Sequence, residues 1–219
     1  MFNDHVVSCL GRLMGAPIPK QELISVPQEL IDKHSDPEEE MGHLRAGIAH
    51  GSRLLPELGD ASRNVEHSSS RENKSRFAHL AILYAWTGHN DCQFLYEEKP
   101  PFRVYSVDHG NFFIGGPHWT IFDLEKDKIP FAPPDLISRS GLDKRDLRSA
   151  CDKLQQINEQ NIAEILAVPP NEWGVSFDER IFLGKYLRRR QLQLLTVFSC
   201  VPEEGFSSRA YSSGFIAAE

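Results

Sequence analysis

Cysteine is scarce and scattered. The four thiols, Cys9, Cys92, Cys151 and Cys200, stand far apart and form no C-x-x-C pair, a pattern that speaks against structural zinc and against a small disulfide scaffold, and fits a reducing compartment. A long apolar run is lacking too: the longest, Leu80 to Trp86, falls far short of the ~20 residues that a membrane-spanning helix needs. The opening Met1 to His5 carries an acid and no basic stretch, so no secretory leader is expected. Positive charge is in deficit, with 24 Lys and Arg against 31 Asp and Glu and a net charge of −7. That balance argues against a broad, sequence-independent grip on nucleic acid or on an anionic membrane. A soluble cytoplasmic protein is the expectation.

What is present is ordinary globular composition, 40% hydrophobic and 25% charged over 219 residues, enough for one folded domain that buries about 70% of its unfolded surface. The domain is expected over residues 1–201, with residues 202–219, which carry Ser207-Ser208 and Ser212-Ser213, as a frayed tail. Val6, Val7, Leu10 and Leu13-Met14 predict a helix that begins almost at the first residue and stops at Gly15 and Pro17. A strand is expected around Leu23 to Val26. Gly47, Gly51 and Gly59 read as loop markers, and Ser68 to Asn73 as an exposed connection.

The central stretch carries the most information. Ser75 is placed to cap a helix whose Phe77, Leu80, Ala81 and Tyr84 recur at helical spacing, with Gly88 as its left-handed end. Gln93 to Tyr96 and Arg103 to Val107 then predict a hairpin turning near Pro100, so paired positions sum to about 200 and Asp108 falls opposite Cys92 or Gln93. Asp91, Gln93 and Asp108 are thereby brought together. The last third is predicted helical, with starts at Asp143 and at the Ser176/Glu179 capping box, a stop at Pro169-Pro170, and Leu183, Leu187, Leu194 and Phe198 as a core stripe.

Two carboxylates and an amide at the mouth of a hairpin are what phosphoryl transfer from ATP requires. Magnesium prefers oxygen ligands in octahedral array, and one carboxylate, one amide carbonyl and phosphate oxygens supply them; Asp108 and Gln93 fit those roles. Asp91 is left to accept the proton of the attacking hydroxyl. Taken one at a time, these acids are no more than a turn cap and a strand end. Trp86, Trp119 and Trp173 are read as core anchors, Cys92 as a neutral thiol, His109 as packing beside Asp108 rather than joining His118 on zinc, and Arg188-Arg189-Arg190 as a solvated helix face.

The chain resembles the HipA-like kinase family, in which a tryptophan-containing helix leads to Gly-Asp-x-Gln-Phe and then to Val-Asp-His-Gly. The residues that carry the resemblance are Ala85-Trp86, Asn90-Asp91-Cys92-Gln93-Phe94, Val107-Asp108-His109-Gly110 and Gly115 to Trp119. Asn3-Asp4, Leu13 to Pro19, Gly47 to Arg53 and Pro169 to Gly174 support it, so nearly the whole chain is covered. The resemblance implies a mainly α fold with a small β-hairpin, the C-terminal lobe of a protein-kinase-like domain. It further implies ATP and Mg as cofactors and phosphorylation of a Ser or Thr hydroxyl on an unidentified protein partner. His89-Asn90 stands where the family has a small residue and Gly, and His50 where it has an aromatic. The family's nucleotide-covering lobe and its Lys would precede Asn3, so this reading expects a truncated front and an Asp4 with no partner in the chain. The alternatives are a non-catalytic binding module that keeps the lobe, and a metal-dependent hydrolase using Asp91, Asp108 and His109.

Overall fold

The computed structural model describes residues 1–34, 45–55, 58–60, 69–127 and 130–200. The expected tail, the acidic run from Asp36 to Glu40 and the side chain of Phe198 lie outside the described residues.

Helix α1 (Phe2–Leu13) forms as its apolar spacing predicts, with Val6, Val7, Leu10 and Met14 fully buried. Strand β1 (Gln21–Val26) is followed by α2 (Gln28–His34) and pairs antiparallel with β2 (Gly47–Ser52), in register from Gln21 opposite Ser52 to Val26 opposite Gly47. The glycines of β2 therefore mark a strand, not the expected loop. A Cβ on Gly51 would fall 2.1 Å from the Ile24 side chain, so glycine serves here to let the cross-strand isoleucine lie over the backbone.

A second sheet runs in the order β3 (Leu58–Asp60), β4 (Gln93–Glu97), β5 (Val104–Val107), all antiparallel. Gln93 pairs with Val107 and Tyr96 with Val104, the register that a turn at Pro100 predicts. The single expected hairpin is thus one part of two small sheets, and Gly59 belongs to a strand.

Helix α3 (Arg71–Thr87) starts a turn earlier than Ser75. Ser70 is its N-cap, and its side chain accepts the Asn73 N–H. The polar stretch before Ser75 conceals a buried residue: the Asn73 side chain donates to the Phe102 carbonyl and accepts the Val104 N–H, each at 2.9 Å. It pins the helix to the hairpin. From Leu80 to Trp86 every side chain of α3 is fully buried, so the longest apolar run is a core helix apolar on all sides. Gly88 ends it at φ 72°, its N–H donating to the Tyr84 carbonyl at 3.0 Å.

Against α3 pack α5 (Pro134–Ser140), α6 (Lys144–Gln155) and α8 (Phe177–Cys200), while α4 (Ile121–Lys126) packs on α8 and α7 (Glu159–Ala167) on α8 and α1. Asp143 caps α6, and Ser176 with Glu179 closes a capping box before α8, as the sequence predicts. Trp86 donates to the Leu187 carbonyl at 2.8 Å, joining α3 to α8.

The arginine triplet is not a solvated face. Arg190 is 2% exposed; it donates to the carbonyls of Trp86 (2.8 Å) and Ala85 and pairs with Asp127. Arg189 donates to the carbonyls of Leu124 and Asp127. Arginine at this place satisfies carbonyls that the last turn of a helix leaves open. Among the described residues no helix is long and apolar enough to cross a membrane.

Candidate functional site

Strand β4 begins at Gln93 and β5 ends at Val107, so the residues flanking those ends meet at the mouth of the hairpin. Gln93 Nε2 donates to Asp91 Oδ2 and to Asp108 Oδ2, 2.9 Å in each case. Gln93 and Asp108 are exposed and Asp91 is half-buried. All three residues singled out in the sequence share one cluster. Asp108 has φ 55°, a left-handed conformation that aspartate tolerates better than most side chains.

Two asparagines hold the loops that carry these acids. Asn90 Nδ2 donates to the carbonyls of Asn111 (3.0 Å) and Phe113 (2.9 Å), tying the residue before Asp91 to the loop after Asp108. Asn3, 4% exposed, donates to the carbonyls of Gly110, Phe112 and Gly116 and accepts the Trp119 indole N–H at 2.9 Å. Neither role was legible in the sequence, because both depend on backbone carbonyls of a loop with no periodic pattern. The local signal was an Asn-Asp pair in the first turn of a helix whose apolar residues recur at helical spacing.

Asp4, expected to stand alone, is well partnered. Its Oδ1 accepts the His109 backbone N–H at 2.9 Å and lies 3.4 Å from His109 Nδ1, while its Oδ2 lies 3.6 Å from His50 Nε2. Burial alone would raise its pKa; the hydrogen bonds from His109 and the nearby imidazoles bring it net below the usual carboxylate value. His109 is 1% exposed, with Nε2 2.8 Å from Ser106 Oγ and Nδ1 3.2 Å from Ser8 Oγ, and Tyr84 Oη lies 2.5 Å from Ser106 Oγ. This polar core adjoins Asp108 through His109, the next residue in the chain.

Next to it, His5 Nδ1 and His50 Nδ1 are 3.3 Å apart, and His5 Nε2 is 3.6 Å from Cys9 Sγ. Burial, then repulsion from His50, lowers the His5 pKa from 6.5 to about 4 despite the pull of Asp4. Burial likewise lowers His50, against the pull of Asp4. Both imidazoles take up a proton less readily in the fold than near 6.5 once unfolded, so below about 6.5 the unfolded chain binds more protons and stability falls as pH drops, for His5 down to about 4. The thermal midpoint is expected to decline across that window in a series of buffered melts. The His5→Gln chain should decline less steeply.

Burial, with the Asp91 charge adding to it, pushes the Cys92 thiol up to about 12, so it is neutral, as expected. Trp86 and Trp119 are buried core anchors, and Trp173 is half-buried, donating to the Ile48 carbonyl at 2.7 Å. Among the described residues no group of three or more His, Cys, Asp or Glu side chains is placed to hold a metal ion. His118 lies exposed on the 3-10 turn Gly116–His118, apart in environment from buried His109. No protein-family model matches the chain, and no curated protein matches it.

Proposed function

We propose that the Asp91, Gln93 and Asp108 cluster is a magnesium and ATP phosphotransfer centre of the HipA-like kinase kind, acting on a Ser or Thr hydroxyl of a protein partner in the cytoplasm. In this reading the helical body is the C-terminal lobe of a protein-kinase-like fold. The observation that carries it is the convergence of two carboxylates on one side-chain amide at 2.9 Å each, at an exposed hairpin mouth.

The donor set suits magnesium. An amide hydrogen-bonded to two carboxylates occupies ground where a small cation would be favoured, and rotation of the Gln93 amide turns its oxygen toward the same point. Asp108 and Gln93 would hold the metal through one carboxylate and one amide oxygen, leaving the solvent side for phosphate oxygens. When bound, magnesium neutralises and orients the phosphates during transfer. Asp91 accepts the proton of the attacking hydroxyl. Asn90 and Asn3 fix the loops on either side, so the carboxylates need little reorganisation to act.

Titration calorimetry of MgATP into the chain tests this reading. Binding in the micromolar range is expected, weakened at least about tenfold in Asp108→Ala and when magnesium is withheld. A folded chain that binds no MgATP overturns it. Binding with no transfer to any Ser or Thr would leave a non-catalytic nucleotide-binding module.

A further inference from the structure

On the helical side of the molecule, α7 and α8 enclose an open groove of about 940 Å3. From α8 it is lined by Phe177, Ile181, Gly184, Lys185, Arg188 and Leu192, which lie on one helical face over about 22 Å of axis at ~1.5 Å per residue. From α7 come Ile162, Ala163, Leu166 and Ala167. Phe177, Ile181 and Leu192 are 75%, 42% and 50% exposed. Such an apolar stripe along a surface helix is left without a partner in the described fold.

Its electrostatics run against those of the chain. The protein carries −7 overall, yet the groove is lined by Arg180, Lys185, Arg188 and Arg189 against the single acid Glu159. Glu159 already lies 3.4 Å from Arg188 Nε. Arg180 spends its guanidinium on the carbonyls of Leu166, Pro169, Pro170 and Val175, and Arg189 on those of Leu124 and Asp127. Carbonyls satisfy the hydrogen bonds without cancelling the charge. Among the described residues no carboxylate pairs with Arg180, Lys185 or Arg189.

We infer that this groove docks an amphipathic helix of a partner protein, about four turns long. The partner's apolar face seats on Phe177, Ile181 and Leu192 of α8 and on Ala163 and Ala167 of α7, and its flanking carboxylates face Lys185 and Arg189. The length favours a helix: an apolar stripe about 22 Å long with basic side chains along it matches the apolar face and acidic flanks of an amphipathic helix. A second copy docking by two-fold symmetry would bring one basic face against another, so an acidic partner fits better. The inference stands apart from the phosphotransfer reading, since none of its residues belongs to the Asp91 cluster.

The test is a display library of helical peptides of about 16 residues, patterned apolar at i, i+3, i+4 and i+7 with flanks randomised between Glu and Lys, selected on the full chain. Glu-flanked sequences are expected to enrich and to bind in the micromolar range by fluorescence anisotropy. Ile181→Asp, at an exposed position, should weaken the selected peptide at least about tenfold while leaving the melting curve unchanged. Lys185→Glu should shift the preferred flank from Glu toward Lys. No enrichment, a flank-blind selection, or undiminished binding by Ile181→Asp overturns the inference. So does a dimer in sedimentation that Ile181→Asp dissociates, or peptide binding that appears only after removal of residues 202–219; these outcomes assign the groove to a second copy or to the chain's own end.

Discussion

Arg190→Met is expected to lower the free energy of unfolding by about 3–5 kcal/mol in urea denaturation. The loss has two parts. Asp127, whose side chain is 11% exposed, would keep, among the described residues, the Tyr186 hydroxyl, which donates to it at 2.6 Å, and a charge stripped of its counter-ion in that setting is costly. The carbonyls of Ala85 and Trp86 would meanwhile lose the donors that close the end of α3. Methionine keeps much of the volume, so the measurement reads charge and hydrogen bonding rather than a cavity. Adding Asp127→Leu removes the stranded carboxylate, and the double variant should recover part of the loss. Equal stabilities for the wild type and Arg190→Met would show the pair to be energetically idle.

Asp91→Asn is expected to lower the rate of phosphoryl transfer by about 10²–10⁴-fold, measured with labelled ATP and a Ser or Thr acceptor. The amide keeps an oxygen for Gln93 Nε2 to donate to, so the cluster's geometry should persist, while the capacity to take a proton at neutral pH is removed. Affinity for MgATP should therefore change by no more than a few-fold, and the loss should sit in kcat rather than in KM. Asp108→Ala has the opposite signature because its loss begins with binding. If both variants fail only in binding, Asp91 is a ligand or a positioning residue rather than the base.

Local grammar is legible in the sequence itself. Helical spacing in α1 and α3, the capping residues Asp143 and Ser176, and the proline turn between β4 and β5 each depend on neighbours within a few residues, and the register that brings Asp91, Gln93 and Asp108 together follows from the last of these. Contacts between distant segments were not legible. Gly51 reads as a loop until Ile24 of the facing strand is known to lie over it. Three consecutive arginines read as a solvated face until Asp127 and the carbonyl ends of α3 and α4 are placed against them. Asp4 reads as unpaired because His109, more than a hundred positions away, has no periodic tie to it. The helices α4 and α5 went unforeseen for another reason: at 6 and 7 residues they are too short for a periodic signal.

The buried chain from Tyr84 through Ser106 and His109 to Asp4 runs one way. Asp4, held below the ordinary carboxylate pKa, can only accept, and Tyr84, its pKa raised well above 10.0 by burial, keeps its proton. The arrangement that suits both ends points from phenol toward carboxylate: Ser106 accepts from Tyr84 and donates to Nε2, which leaves the imidazole hydrogen on Nδ1, between Ser8 Oγ at 3.2 Å and Asp4 Oδ1 at 3.4 Å. His109 is thereby confined to a single tautomer. Moving that hydrogen to Nε2 would require both hydroxyls to reverse together inside the core, while Asp4 holds the backbone N–H of the residue after Asp108.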